Sequence, residues 1–217
     1  MDPAAGPMLL TSLGPIVFAL TVLATAVMAA SAAIQGARQG FDPFGATVLA
    51  IVTAVGGGTL RDILIGRFPV FWINDLTYLG TAVPVALLTY LAATRMRAGG
   101  GRRLRLLLYL DAVGLALFTL VGVQIALGAG LSPVIAVILG CTTGVAGGMI
   151  RDVLCGLQPS ILKEDLYATI SLGGGTVFVI WREALSPETG LMTAFALMTA
   201  ARFFVVWRTR PKDEPLA

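Results

Sequence analysis

The chain has 217 residues, of which 57% are hydrophobic and 12% charged, with a mean hydropathy of +0.88. Soluble domains carry about a quarter charged residues, so this composition excludes a soluble globular fold and implies an integral membrane protein. The net charge of +3 sits on residues that flank apolar runs, not on a basic face interleaved with aromatics, which excludes nucleic acid as a partner.

A bilayer core roughly 30 Å thick needs about 20 apolar helical residues, and the sequence offers seven such segments. The first runs from Gly14 to Gly36. No positive residue precedes it, and it exceeds the apolar core of a cleaved leader, so it reads as a membrane span. The second opens at Pro43, a residue suited to the first turn of a helix, and stays uncharged to Leu60. After Arg61 and Asp62 comes an irregular stretch with Arg67, Pro69 and Asn74-Asp75, then a third span over Leu76–Thr94. A basic loop follows, holding Arg95, Arg97, Arg102, Arg103 and Arg105 around a run of three glycines.

Residues 112 to 150 carry no charge, too long a run for one crossing. The turn residues Gly128 to Pro133 divide it into a fourth span, from Leu106 to about Leu127, and a fifth, Pro133–Ile150. A sixth covers Leu166–Trp181 with its own glycine triplet, and a seventh covers Thr189–Trp207 with one charge, Arg202, before a hydrophilic tail over 208–217. Alternating the loops across the membrane puts Arg38, the five loop arginines, Arg151, Lys163, Arg208, Arg210 and Lys212 on one side. Only Arg61, Arg67 and Arg182 fall on the other. The positive-inside rule then places the N-terminus outside and the C-terminus in the cytoplasm, as expected of a helical protein in a cytoplasmic membrane.

One motif organises the chain. Gly56-Gly57-Gly58-Thr59-Leu60-Arg61-Asp62 returns ninety residues later as Ala146-Gly147-Gly148-Met149-Ile150-Arg151-Asp152. At the same offset Pro43 matches Pro133, Gly66 matches Gly156, Pro69 matches Pro159 and Asp75-Leu76 matches Asp165-Leu166. The chain is thus expected to hold repeat 1 over 14–95 and repeat 2 over 106–185, each of three spans, with a last helix over 189–207. An odd number of spans inserts the second copy upside down, the inverted-topology arrangement of transporters and some channels. Glycine runs weaken a helix by roughly 1 kcal/mol per residue relative to alanine, so Gly56, Gly57 and Gly58 should kink helix two, and Gly147 and Gly148 helix five. The other reading of such glycines is a packing surface, as for Gly140 and Gly144 with their small-xxx-small spacing.

Charges inside a membrane span are costly and mark function. Arg61 and Arg151 are the expected gate residues of a passage between the repeats, with Asp62 and Asp152 beside them. Asp111, early in the fourth span, is a further candidate whose repeat partner is the uncharged Thr21. Adjacent helical residues point about 100° apart, so cross-repeat pairs are expected: Arg61 with Asp152 or Asp111, and Arg151 with Asp62. Thr53, Thr59, Thr142 and Thr143 are candidates for a polar lining, against the commoner role of bonding a local carbonyl. The chain has no His, and Cys141 and Cys155 read as small apolar fillers, so neither metal site nor cofactor is indicated. No nucleophile motif points to an enzyme.

These motifs, together with Asp111-Ala112-Val113-Gly114-Leu115-Ala116-Leu117-Phe118, resemble the prokaryotic branch of the trimeric intracellular cation channel (TRIC) family, which also contains bacterial proteins described as glycine transporters. The resemblance covers about residues 14 to 207. It implies a seven-helix protomer assembled as a homotrimer among membrane lipids, each protomer with its own pore for K⁺, and Na⁺ as a second candidate. The charged Lys-Glu-Val motif of animal members has no counterpart here, so their phosphoinositide regulation is not carried over. An alternating-access carrier of a small solute such as glycine is the competing function, since it uses the same symmetry.

Overall fold

A computed structural model describes residues 5–96, 101–163 and 166–209, and the side chains of 14–96, 101–162 and 166–208. Residues 210–217 of the expected tail, Arg97 and Asp165 lie outside the described residues. The fold is all-helical: α1 (Ala5–Arg38), α2 (Pro43–Leu64), the single-turn α3 (Phe71–Asn74), α4 (Thr77–Arg95), α5 (Arg102–Gly128), α6 (Pro133–Leu154), the single-turn α7 (Ser160–Lys163), α8 (Tyr167–Ala184) and α9 (Pro187–Thr209). The protein is a helical membrane protein. Six of the long helices are long and apolar enough to cross a bilayer, while the 18 residues of α8 carry three glycines, Arg182 and Glu183 and fall short by hydropathy.

The local chemistry of the sequence sets the helix ends. Pro43 and Pro133 stand at the first turns of α2 and α6, and Asp42 caps α2 by accepting from the Gly45 N–H at 2.7 Å. Beyond each of these helices a glycine adopts a left-handed conformation, φ +69° at Gly66 and +67° at Gly156. There the N–H of Arg67 reaches the carbonyl of Asp62, and that of Leu157 reaches Asp152, each at 2.8 Å, closing the helix with the double bond of a Schellman cap. A Cβ is disfavoured at positive φ, which accounts for glycine at both positions.

One expectation needs correction. Both helices continue a full turn past the expected ends at Leu60 and Ile150, so each Arg-Asp pair lies within a helix instead of beyond it. The glycines stay within continuous helices, α2 from Pro43 to Leu64 and α6 from Pro133 to Leu154. They lie where helices meet. A Cβ on Gly147 would sit 2.5 Å from the Thr53 carbonyl oxygen of α2, and one on Gly57 closer still to the Thr143 carbonyl oxygen of α6. Since Thr53 and Thr143 are themselves ninety residues apart, the contact is reciprocal, the signature of a two-fold relation. Gly140 and Gly144 pack in the same way on α5, against the Thr119 and Leu115 carbonyls.

Small residues carry this packing throughout. The core between α1, α2 and α4 is built on Ala24, Ala29, Ala32, Ala50, Ala54, Ala82 and Ala86, and a second core holds Leu120, Val123, Phe178, Leu191 and Met198 of α5, α8 and α9. In lipid no hydrophobic force drives helices together, so close backbone approach over small side chains supplies the attraction. Large apolar residues such as Phe44, Leu88, Val134 and Trp207 point outward, as a lipid-facing surface requires. Cys155, just past α6, is half-buried, and burial pushes its thiol up to about 11, so it stays neutral.

Candidate functional site

Arg61, Asp62, Asp111, Arg151 and Asp152 are all buried, as is Arg202, in an interior rich in alanine. A buried charge is tolerable only when paired and hydrogen-bonded, and the pairing defines two clusters. In the first, Nε and Nη2 of Arg61 donate to the Oδ1 of its own neighbour Asp62 at 2.9 and 2.8 Å. The other carboxylate oxygen accepts the Phe71 N–H of α3 at 2.9 Å, and the Phe71 ring lies 5.6 Å from the guanidinium carbon. Gly58 leaves the space that this ring fills, since a Cβ there would lie 2.5 Å from it.

The second cluster repeats the edge-on pairing and extends it. Arg151 donates from Nε to Asp152 Oδ1 at 2.9 Å, with Nη2 at the same distance from that oxygen. Its Nη1 donates to Asp111 Oδ1 and to Ser31 Oγ, both at 2.7 Å. The Tyr167 hydroxyl donates to Asp111 Oδ2 at 2.7 Å, and the Arg202 guanidinium covers the Tyr167 ring at 4.5 Å. The Ser160 N–H of α7 meets Asp152 as Phe71 meets Asp62. Gly148 makes room for this network, because a Cβ there would lie 3.2 Å from Asp111 Oδ1 and 3.3 Å from the Tyr167 hydroxyl.

The expected cross-repeat pairs do not form. Arg61 shares a cavity wall with Thr21 while Arg151 bonds Ser31, and these α1 positions are separated by about 15 Å of helix. Neither arginine therefore reaches the other's carboxylate. Pairing with the adjacent Asp succeeds despite the 100° between them because the long arginine stem folds back, and the N–H of the following short helix fixes the carboxylate. The contacts of Gly57 with Thr143 and of Thr53 with Gly147 show that α2 and α6 cross in opposite directions.

The four threonines behave as local bonding groups. Thr53, Thr59, Thr142 and Thr143 each donate to the carbonyl four residues back, at 2.7, 2.8, 2.9 and 2.6 Å. Thr53 and Thr143 are buried at the crossing of α2 and α6, Thr59 accepts from the Trp72 indole at 2.9 Å, and Thr142 is half-exposed.

Beside Arg61 lies a cavity of about 340 Å³, walled by Thr21, Arg61, Arg67, Tyr78, Gln124 and Arg182 with apolar neighbours such as Phe18 and Phe71. The three arginines that loop parity places alone on one side thus converge here, although the sequence separates them by over a hundred residues. Below the cavity, α1 carries the buried polar residues Thr25, Ser31 and Gln35, interrupted by the fully buried Met28, whose side chain packs against Gly114. Among the described residues no group of His, Cys, Asp and Glu could hold a metal ion. Sequence reading overlooked Ser31, Tyr167 and the cavity, because their partners come together only through packing. The charge of Arg202 inside a span was the one signal available for its place beside Tyr167.

The family model described as "Glycine transporter" matches residues 18–94 and again 108–183, two stretches that begin ninety residues apart. The crystal structure of the TRIC trimeric intracellular cation channel orthologue from Rhodobacter sphaeroides superposes with a TM-score of 0.84 at 35% identity, covering 89% of this chain and 98% of that one. The chain belongs to the prokaryotic branch of the TRIC family. A further prokaryotic TRIC channel, crystallised in 0.5 M KCl, gives a TM-score of 0.85 at 26% identity over 90% of this chain and 98% of its own. The chain is also similar to the UPF0126 inner membrane protein YadS of Escherichia coli strain K12, 44% identical over 208 residues that cover 92% of this chain and 98% of YadS. A UPF0126 membrane protein of Deinococcus radiodurans is 40% identical over 74% of each chain.

Proposed function

We propose that this TRIC-family protein is a passive monovalent-cation channel, permeable to K⁺ and Na⁺, with a pore inside each protomer of a homotrimer in the inner membrane. The observation that carries this reading is the likeness of nearly the whole fold, at 35% identity, to a solved TRIC cation channel. The topology is seven spans, α1, α2, α4 as one repeat and α5, α6, α8 as its inverted copy, with α9 last, the N-terminus outside and the C-terminus in the cytoplasm. The pathway follows the polar face of α1, from the arginine-walled cavity past Thr25 and Met28 to Ser31 and the Arg151 cluster. An unneutralised arginine would repel the permeating ion. Asp62 on one side, and Asp111 with Asp152 on the other, lower that repulsion and leave the arginines free to act as gates. Membrane lipids surround the trimer.

Single-channel recording in opposed K⁺ and Na⁺ gradients tests the reading. Arg61→Ala and Arg151→Ala should change conductance or open probability. If both variants form intact trimers and conduct as wild type, the gate assignment fails. A second reading, an alternating-access carrier of a small solute such as glycine, is favoured by the "Glycine transporter" family description and by a cavity whose wall includes Arg61 but not Arg151. Saturable uptake of glycine into liposomes without unitary currents would select it.

A further inference from the structure

The two arginine clusters are copies of one another at an offset of ninety, except at one nitrogen. In both, Nε and Nη2 hold the adjacent aspartate. In the inner cluster Nη1 has two partners, the Asp111 carboxylate and the Ser31 hydroxyl. In the outer cluster Nη1 of Arg61 is buried and has no hydrogen-bond partner among the described residues. The repeat explains the vacancy, since the position of Asp111 is filled by Thr21 and that of Ser31 by Val121. Val121 has no acceptor, and Thr21 Oγ1, which donates to the Val17 carbonyl at 2.6 Å, does not accept from Nη1.

A buried guanidinium N–H without an acceptor is costly, and Arg61 forms part of a cavity wall although Nη1 itself is covered. Thr21 and Arg61 both wall the cavity of about 340 Å³, and Arg67 and Arg182 bring two further positive charges to it. No Asp or Glu lines that cavity among the described residues. Gln124 and Tyr78 add uncharged polar groups to the same wall, and its volume is ample for a small solute with accompanying water.

We infer that this cavity is a binding site for the carboxylate of a small solute, which takes at Arg61 the place that the Asp111 side chain takes at Arg151. Arg67 and Arg182 supply the charge that draws the carboxylate in, and Arg61 Nη1, covered in this structure, turns to the cavity to donate to it. The inference rests on the repeat, the unpaired nitrogen and the cavity, and holds whether the protein conducts cations or carries a solute.

The test is saturation-transfer NMR with acetate on the purified full-length protein in nanodiscs, at constant sodium and pH 7.5, with chloride and glycerol phosphate as competitors. Acetate should saturate in the millimolar range in wild type. Thr21→Asp installs the missing carboxylate within the chain, so it should weaken acetate binding at least tenfold and raise the unfolding temperature in acetate-free buffer. Thr21→Asn, equal in size but uncharged, should stay within about twofold of wild type. If Thr21→Asp does not fold, Arg182→Gln carries the test, with an expected loss of about threefold. Acetate that fails to saturate overturns the inference, as does unchanged binding in the folded variant used. Displacement of acetate by chloride at equal concentration overturns the carboxylate assignment in favour of a general anion site. Displacement by glycerol phosphate at a tenth of the acetate concentration overturns it in favour of a lipid headgroup.

Discussion

The reciprocal glycine contact between α2 and α6 makes a graded prediction. Gly147→Ala places a methyl group 2.5 Å from the Thr53 carbonyl oxygen, and Gly57→Ala places one closer still to that of Thr143. Ordinary C···O contacts lie at about 3.3–3.6 Å, so the helices must part by roughly 1 Å or more, and neither carbonyl can rotate away because each belongs to a helix backbone. Overpacking of this kind costs about 1–3 kcal/mol. With roughly 2–4 °C of unfolding temperature per kcal/mol in a chain of this length, Gly57→Ala should unfold about 5–10 °C below wild type in detergent, with Gly147→Ala next. Gly56→Ala meets only the terminal methyl of Ile150, at 2.7 Å, which can swing aside, so its effect should be small. Gly80 and Gly173 have nothing within 4 Å of an added Cβ, so alanine there should be neutral or slightly stabilising. Thermal unfolding followed by size-exclusion chromatography measures the series. Equal losses at Gly56 and Gly57, or none at Gly57, would refute close packing as the role of these glycines and return the argument to helix flexibility.

Three other substitutions probe the interior. Asp111→Ala leaves Arg151 Nη1 with Ser31 alone and the Tyr167 hydroxyl without its acceptor, a loss of about 3–5 kcal/mol by analogy with broken buried pairs. Tyr167→Phe removes only one hydrogen bond to a charged group, about 1.5–3 kcal/mol, so unfolding temperatures should fall in that order, and the reverse order contradicts the network. Met28→Ala removes the apolar plug from the polar face of α1 and should raise cation flux into liposomes several-fold, whereas unchanged flux from a folded variant would put the constriction elsewhere.

The sequence carried most of the fold and half of the site. Span positions follow from the bilayer's demand for apolar length, and Pro43, Pro133, Gly66 and Gly156 mark ends that the structure places within a few residues. The matched Arg-Asp motifs were legible as costly charges repeated in register. Their partners were not, because Ser31 and Asp111 stand 120 and 40 residues from Arg151 and meet it only when α1, α5 and α6 pack. The single-turn helices α3 and α7 escaped a reading based on long apolar periods, yet their N–H groups hold Asp62 and Asp152 in reach of the neighbouring arginines. The substitution of Thr21 for Asp111 was visible in the alignment of the two halves. Its meaning needed the cavity.

That substitution also gives the two ends of the proposed pathway opposite electrostatic character. At the inner cluster Arg151 faces two carboxylates, and Arg202 stands across the Tyr167 ring from them. At the outer cluster Arg61 has one carboxylate, and Arg67 and Arg182 stand in the cavity wall with no acidic partner lining it among the described residues. A cation entering from the cavity end meets net positive charge, and one entering from the inner end does not. If the protein conducts as proposed, oriented channels in symmetrical 0.1 M KCl should pass less K⁺ current from the cavity end than toward it. The asymmetry should fade at 1 M, where the Debye length drops from about 10 Å to about 3 Å. Recordings across that salt range decide the matter, because a linear current at 0.1 M, or rectification that persists at 1 M, would mean that the cavity arginines do not act on the permeating ion through their charge.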